Sequence, residues 1–438
     1  MSAPSAHAAD TFPRLLLKHA SERPDAPALR EKYLGIWQTW SWRDAATEVR
    51  EMALGLASLG FARGENLAII GDNRPRLYMG FAAAQSLGGV AVPMYQDAVA
   101  TEMAFVLENA AIRFAIVEDQ EQVDKLLEAR ETRPEIGHII YDDPRGLRNY
   151  DAPGLISLED LRARGREFDR AHPGFFDSEV GKGKAVDVSV MLYTSGTTGK
   201  PKGVCQSHEA FITAARGGAE FDQLSANDNV LSYLPMAWVG DHLFSYAQAL
   251  VAGFTVNCPE SADTVMTDLR EIGPTYYFAP PRIFESVLTS LSIRMEDASR
   301  LKQRMYDYFM RVARKFGADI LDGQPVPLTG RLLYGLGNLL VYGPLKNTLG
   351  MSRIRIAYTA GAAIGPDLFR FYRSIGINLK QLYGSTETCA YVCLQPDGEI
   401  KFDSVGKAAP GVEVKIADNG EVLVRGAMVL KEYYKRPD

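Results

Sequence analysis

The sequence predicts an α/β fold, with two α/β subdomains whose mostly parallel sheets are flanked by helices, followed by a smaller β-rich section. Three observations point to it. Short apolar runs at 67–70, 90–92 and 114–117 alternate with helical stretches around 77–87 and 101–109, the pattern of parallel strands joined by crossover helices. A further apolar run at 188–193 leads directly into a glycine-rich loop. Near the C-terminal end, apolar runs at 412–416 and 421–424 flank Asp418-Asn419-Gly420, a tight-hairpin signal.

Taken in order, the first clear element begins at Ser41-Trp42-Arg43-Asp44. This string has the form of a capping box, and Val49, Met52, Leu56 and Leu59 then recur at helical spacing. Residues 138–141 read as another strand, and the Gly-, Pro- and charge-rich piece 144–184 reads as connection and surface. We set the first subdomain at 1–185. The second, 186–400, contains the glycine-rich loop and a long helical insertion at 286–350. Within that insertion Leu301, Met305, Phe309 and Val312 share one helix face and read as core. The β-rich section covers 401–438, and no internal repeat is visible.

Composition narrows the function classes. A chain of 438 residues with 46% hydrophobic content fills sizeable cores, so disorder is not expected. The formal net charge is -6 and no dense Lys/Arg run occurs, which argues against nucleic-acid binding. A nucleotide remains compatible, because a few placed cations and backbone N–H groups suffice for a triphosphate. Cys205, Cys258, Cys389 and Cys393 lack metal-ligand spacing and read as buried thiols in a reducing compartment. The first ten residues carry no export-signal pattern, and every apolar stretch is broken well short of the ~20 residues a membrane span needs. The expected location is the cytoplasm, with peripheral membrane contact left open. A homodimer is a fold-level expectation only.

The strongest local signal is Tyr193-Thr194-Ser195-Gly196-Thr197-Thr198-Gly199-Lys200-Pro201-Lys202-Gly203. Its glycines let backbone approach a polyanion, its hydroxyls donate, and its lysines neutralise charge. The spacing is not that of a Walker loop, and Pro201 stands where that loop's Ser/Thr would hold magnesium. By composition alone such residues also make ordinary surface loops. As an ordered string they resemble the signature loop of the adenylate-forming superfamily. Further motifs follow in that superfamily's order. Leu234-Pro235-Met236-Ala237-Trp238 resembles the motif opening the acyl pocket, and Thr359-Ala360-Gly361-Ala362-Ala363 the adenine-side loop. Tyr383-Gly384-Ser385-Thr386-Glu387-Thr388 is similar to the nucleotide and magnesium motif, and Ser404-Val405-Gly406-Lys407-Ala408-Ala409-Pro410-Gly411 to the segment leading into the β-rich section. The resemblance extends from Thr39 to Pro437.

The resemblance implies an acyl-CoA synthetase-like N-terminal domain that activates a carboxylic acid with ATP to an acyl adenylate, releasing pyrophosphate, with CoA as co-substrate and Mg2+ as cofactor. Thr194, Lys202 and Glu387 take catalytic roles by it. Thr194, Ser195, Gly196, Thr197, Thr198, Gly199 and Lys200 surround the triphosphate. Gly361, Ala362, Ala363, Gln381, Tyr383, Gly384, Ser385 and Thr386 meet the nucleotide, and Ser195 and Glu387 the metal. Trp238, Val239, Gly240 and Phe278 line the acyl side. The chemistry suits such a set: a carboxylate is ionised at neutral pH and attacks the α-phosphorus without a general base. The work is then electrostatic, and no Ser/His/Asp arrangement is needed.

One departure concerns the acyl-pocket motif, where much of the family has a histidine. Here the matching position is Trp238, and the next histidine is His242. Trp238 reads either as a gate to an acyl tunnel or as core, and His208 reads as structural. Apolar walls at 238–250 and 276–284, with about 0.8 kcal/mol per buried methylene, suit a long tail. Pro280-Pro281-Arg282-Ile283-Phe284-Glu285 resembles the long-chain fatty acyl-CoA synthetase branch. An aryl or alicyclic acid, a carrier protein in place of CoA, and a non-catalytic nucleotide-binding regulator remain as alternatives. Family members continue into a C-terminal domain with a catalytic lysine that these residues do not include. The expectation is therefore a fragment that binds ATP or adenylate weakly and forms acyl-CoA poorly.

Overall fold

Ser41 does begin a helix. In the computed structural model, which describes residues 10–133, 135–194 and 201–436, the Ser41 hydroxyl accepts from Asp44 N at 3.2 Å. Asp44 Oδ2 accepts in turn from Ser41 N at 2.9 Å, the reciprocal pairing of a capping box. The helix Trp42–Ser58 buries Val49, Met52 and Leu56. Its other face meets the helix Leu158–Ala171, inside the stretch read from sequence as connection and surface. That helix is charge-rich and carries little hydrophobic signal, and it packs through glycine. A Cβ on Gly165 would stand 1.9 Å from Glu51 O, and one on Gly55 2.3 Å from Leu161 O. Arg162 to Glu51 at 2.8 Å and Arg50 to Asp169 at 2.9 Å close the flanks.

The expected strands assemble into an eight-stranded sheet. Its order is Glu432–Tyr433, Lys202–Ser207, Val188–Thr194, Val90–Met94, Asn66–Ile70, Phe114–Val117, His138–Tyr141, Leu155–Ser157. The pairs from Val188–Thr194 through Leu155–Ser157 are parallel, and the last two additions, Lys202–Ser207 and Glu432–Tyr433, are antiparallel. The sheet thus takes in strands from both sides of residues 185 and 186, where the sequence suggested a subdomain boundary. Apolar alternation marks each strand but does not say which sheet it joins, and Ala91 pairs with Val190 across that point.

A second sheet runs Tyr276–Phe278, Ile356–Thr359, Leu379–Tyr383 in parallel, then Cys393–Leu394 and Lys407–Ala408 antiparallel. A third contains Asn229–Leu231, Thr255–Cys258, Pro27–Tyr33 and Ile36–Ser41. The hairpin Val412–Ile416 and Val422–Gly426 turns through Gly420, whose φ of 85° is the left-handed conformation glycine tolerates.

Helices cover both faces of the eight-stranded sheet, so Ile70, Val92 and Val117 are buried on one side and Leu67, Ile69 and Ile116 on the other. The helical insertion packs Phe309 and Tyr342 into a second core that it shares with Phe284, Tyr372 and Leu379 outside it. Phe309 and Val312 are buried as read, Met305 is half-buried, and Leu301 departs from the expectation at 77% exposed. Packing on this helix centres on Phe309, against which Gly337 lies closely, and does not cover the first turn.

His242 lies at the centre of the main core, ringed by Phe12, Phe81, Phe211 and Tyr246 at centroid distances of 4.6 to 6.1 Å. Neither ring nitrogen has a hydrogen-bond partner among the described residues. Burial, then the neighbouring His208, lowers its pKa from 6.5 to about 3. The unfolded chain therefore takes up a proton below about pH 6.5 while folded His242 stays neutral, so stability present at neutral pH is lost on acidification through that window. We expect this residue alone to cost about 2 kcal/mol between pH 7 and pH 5. Urea titrations at both pH values test it: His242→Leu should flatten the pH dependence by that amount, and an unchanged slope would refute it.

Candidate active site

The strand Val188–Thr194 is largely buried, and at its end Thr194 faces Lys202 in register across the antiparallel pair. These two residues bracket the glycine-rich loop. Ser195, Gly196, Thr197, Thr198, Gly199 and Lys200 lie outside the described residues. Lys202 places Nζ 5.4 Å from the ring centroid of Tyr433, and the Tyr433 hydroxyl donates to Glu387 Oε1 at 3.0 Å. Burial and that hydrogen bond raise the phenol's pKa above its ordinary value. One Glu387 oxygen is therefore fixed by a tyrosine that itself carries a cation on its face.

Glu387 sits in the short helical turn Thr386–Thr388, which the backbone on either side forces into place. Gly384 has no room for a side chain: a Cβ there would stand 1.8 Å from Ala390 O. Ala390 N donates to Ser385 O at 2.9 Å, and Val392 N to Tyr383 O at 2.8 Å. Cys389 and Ala390 close the turn at φ 49° and 68°, a conformation that costs a non-glycine residue about 1 kcal/mol or more. Three long-range bonds offset this strain. Gln206 Nε2 donates to Thr386 O at 3.0 Å, Leu430 N to Glu387 O at 2.6 Å, and Tyr433 to the Glu387 carboxylate as described. Neither Gln206 nor Tyr433 is apparent as a site residue from sequence. Both act from sheet strands far away in the chain, and no local motif marks them.

On the apolar side, Trp238 precedes the helical turn Val239–Asp241 and a π-helical turn, His242–Ala247. Asp241 anchors this wall. Its carboxylate accepts from Tyr78 at 2.7 Å, Ser232 at 2.9 Å, Ser245 at 3.0 Å and Asn73 at 3.1 Å. Burial pushes its pKa up to about 7, with these hydrogen bonds opposing. The Trp238 indole lies over Gly240, where a Cβ would come within 2.9 Å of the ring. Its centroid is 5.4 Å from that of Phe278, and Phe278 stacks on Phe244 at 4.4 Å.

These pieces enclose one cleft of about 470 Å³, within the ~300–1,000 Å³ of small-molecule sites. Thr194, Trp238, Val239, Gly240, Phe278, Gly361, Gly384, Ser385, Thr386 and Glu387 line it, joined by Phe244, Ala360, Leu382 and Ala390. Ala362, Ala363, Gln381, Tyr383 and Lys202 are not in the lining. Gln381 is buried, and its side-chain amide donates to Phe402 O at 3.0 Å and Ser404 O at 3.1 Å, clamping the 402–404 backbone. Tyr383 is 42% exposed, and Ala362 and Ala363 face solvent. His208 is buried and accepts from Phe12 N at 3.3 Å, a structural placement. Among the described residues no cluster of three His, Cys, Asp or Glu side chains could hold a metal, which leaves Glu387 as the lone carboxylate of the cleft.

A larger cavity, about 710 Å³, lies elsewhere. Its cations are already committed: Arg74 to Glu118 at 2.7 Å, Arg76 to Glu159 at 2.9 Å and Asp142 at 3.0 Å, Lys32 to Asp268 at 2.9 Å, and Arg145 to Asp143. That leaves no free cation there for a polyphosphate.

A family model described as AMP-binding enzyme matches residues 16–434. The chain is 27% identical over 428 residues to the long-chain-fatty-acid–CoA ligase FadD15 of Mycobacterium bovis, covering 97% of this chain and 69% of that protein. It is 26% identical to the long-chain-fatty-acid–CoA ligase ACSBG2 of Xenopus laevis, covering 98% of this chain and 58% of that one. Among solved structures, the anthranilate CoA ligase AuaEII in complex with anthranoyl-AMP superposes with a TM-score of 0.72. The match is 18% identical and covers 97% of this chain and 71% of that one, a likeness of fold.

The crowding at Gly384 yields a direct test. Gly384→Ala should destabilise the chain by about 1–3 kcal/mol, the range for overpacking, seen as a lower urea midpoint at unchanged m-value. An unshifted midpoint would mean that the turn yields without cost.

Proposed function

The chain belongs to the AMP-binding enzyme family, and on that premise we propose that its cleft activates a long-chain fatty acid with ATP. The products are the acyl adenylate and pyrophosphate, and the adenylate is then passed to CoA in the cytoplasm. The observation that supports this reading is the meeting, in one cleft, of Thr194 and the Thr386–Glu387 turn with the aromatic wall of Trp238, Phe244 and Phe278. A polar end suits a nucleotide's phosphates, and an apolar end suits a carboxylic acid's tail.

In the first step a carboxylate oxygen forms a bond to the α-phosphorus as the bond to the bridging oxygen of pyrophosphate breaks. In the second, the CoA thiol gives up its proton to solvent as its sulfur bonds to the acyl carbon, and the acyl C–O bond to the phosphate breaks to release AMP. The carboxylate needs no deprotonation at neutral pH, so the chain's task is to hold two anions together. Thr194 and Thr386 present hydroxyls to phosphate oxygens. Glu387, one oxygen of which is held by Tyr433, would hold the cation through its other oxygen. A lone carboxylate fits magnesium, which shares its ligands between protein, water and substrate phosphates and neutralises charge on the departing pyrophosphate. Trp238, resting on Gly240 and against Phe278, lines the apolar end.

The fatty-acid choice draws on the relatives, which are named long-chain-fatty-acid–CoA ligases, and of whose lengths this chain spans about two thirds or less. The aromatic wall also accommodates an aryl acid, the substrate type named for the anthranilate CoA ligase.

Pyrophosphate release measured across a panel of acids decides between these. We expect palmitate to exceed benzoate and anthranilate at least about tenfold in kcat/KM, since each buried methylene contributes ~0.8 kcal/mol. Glu387→Gln should lower the palmitate rate by about 10²–10³-fold. A preference for benzoate would favour the aryl reading, and no acid-dependent release at all would leave a nucleotide-binding regulator.

A further inference from the structure

The helical insertion carries a surface that the cleft does not explain. The helix Leu328–Gly337 continues through the π-helical turn Asn338–Tyr342, and it is packed with its small residues inward. Ideal Cβ positions on Gly330 and Gly337 would lie 3.1 Å from the Phe316 ring and 2.8 Å from that of Phe309. These contacts seat the helix antiparallel on its neighbour Arg300–Leu321. The leucines point the other way, while Val341 and Tyr342 are buried with these glycines. Leu328 is 73% exposed, Leu332 66% and Leu339 72%, with Leu333, Leu336 and Leu340 alongside them in solvent. A helix serving only its own core would invert this arrangement, and a contiguous leucine face of this kind marks an interaction surface.

Charge identifies the occupant. Between Gly323 and Pro366 there is no Asp or Glu, although the chain has 54 of them and a net charge of -6. The neighbouring helix exposes Leu301 and Tyr308 among Arg300, Lys302, Arg304, Arg311 and Arg314, set against Asp307 and Asp319. None of those five cations, nor Arg331 on the leucine helix, has an ion-pair partner among the described residues. We propose that the Leu328–Leu340 face docks on an anionic lipid bilayer, its leucines entering the headgroup boundary while Arg331 and the cations of the adjoining helix meet lipid phosphates. A second copy of this chain fits less well, because a two-fold contact would set the same unpaired cations face to face. No helix among the described residues is long and apolar enough to cross a membrane, so the helix lies on the bilayer. The surface stands independently of which acid fills the Trp238 cleft.

Flotation with vesicles, without ATP or acid, tests this on the whole 438-residue chain. The chain should float with phosphatidylcholine vesicles containing phosphatidylglycerol and only weakly with phosphatidylcholine alone. The combined variant Leu332→Gln, Leu336→Gln, Leu339→Gln should lose at least about tenfold in partitioning, given the apolar area removed, with its thermal midpoint unchanged because these side chains are exposed. Arg304→Glu with Arg311→Glu should abolish the preference for the anionic lipid. The proposal is overturned by a wild-type chain that stays at the bottom of the gradient, by a leucine variant that floats equally, or by sedimentation showing a dimer that the leucine variant dissociates while vesicles bind neither form.

Discussion

The candidate site depends on how the turn bearing Glu387 is tied to the first sheet. Gln206 bonds Thr386 O, Leu430 N bonds Glu387 O, and Tyr433 bonds the Glu387 carboxylate. Gln206 belongs to the strand that follows the glycine-rich loop, and Tyr433 to the edge strand paired with it. The second sheet contributes the turn and the first sheet contributes its orientation. Without these bonds Thr194 and Glu387 would belong to separate surfaces. With them, the end of the loop strand and the carboxylate share a wall.

The price of that geometry is a backbone with little freedom. Gly384 admits no Cβ, while Cys389 and Ala390 occupy the left-handed region. Buried polar groups do similar work on the apolar wall, where Asp241 collects four donors, from Asn73 and Tyr78 of one stretch, from Ser232, and from Ser245 in the turn that follows it. A fully satisfied buried carboxylate specifies one arrangement, since any slip leaves a donor unpaired in a low-dielectric interior. Trp238 is thereby held between a glycine that leaves room for its ring and the Phe278 and Phe244 stack.

Local signals were readable in the sequence where neighbours in the chain decide the structure. The Ser41 capping box, the strands of the parallel sheet and the turn through Gly420 all obey rules that span a few residues. The string from Tyr193 to Gly203 and the Glu387 motif stand out for the same reason, and Thr194 of the first and Gly384, Ser385, Thr386 and Glu387 of the second line the cleft. What eluded the sequence is decided across space. The helix Leu158–Ala171 packs through glycine, not through an apolar stripe. Gln381, grouped with the nucleotide residues by the family resemblance, donates its amide to backbone carbonyls. Tyr433 has only a two-residue strand to announce it. Leu301 follows core periodicity yet lies in solvent, because periodicity states which residues share a face and not what covers that face.

The clip formed by residues 430–433 also sets a schedule. Glu387 is oriented by groups made more than forty residues after it in the chain, against a strand made about two hundred residues before them. Contacts of such separation close late, because loop entropy must be overcome before they return anything. During synthesis the first sheet can therefore assemble through Lys202–Ser207 and wait with that strand's outer edge open. Only when Glu432 and Tyr433 emerge can they cover that edge and turn the carboxylate inward. Completion of the cleft and closure of the exposed strand are one event, so a nascent chain competent to use the site has also lost its template for edge-to-edge aggregation.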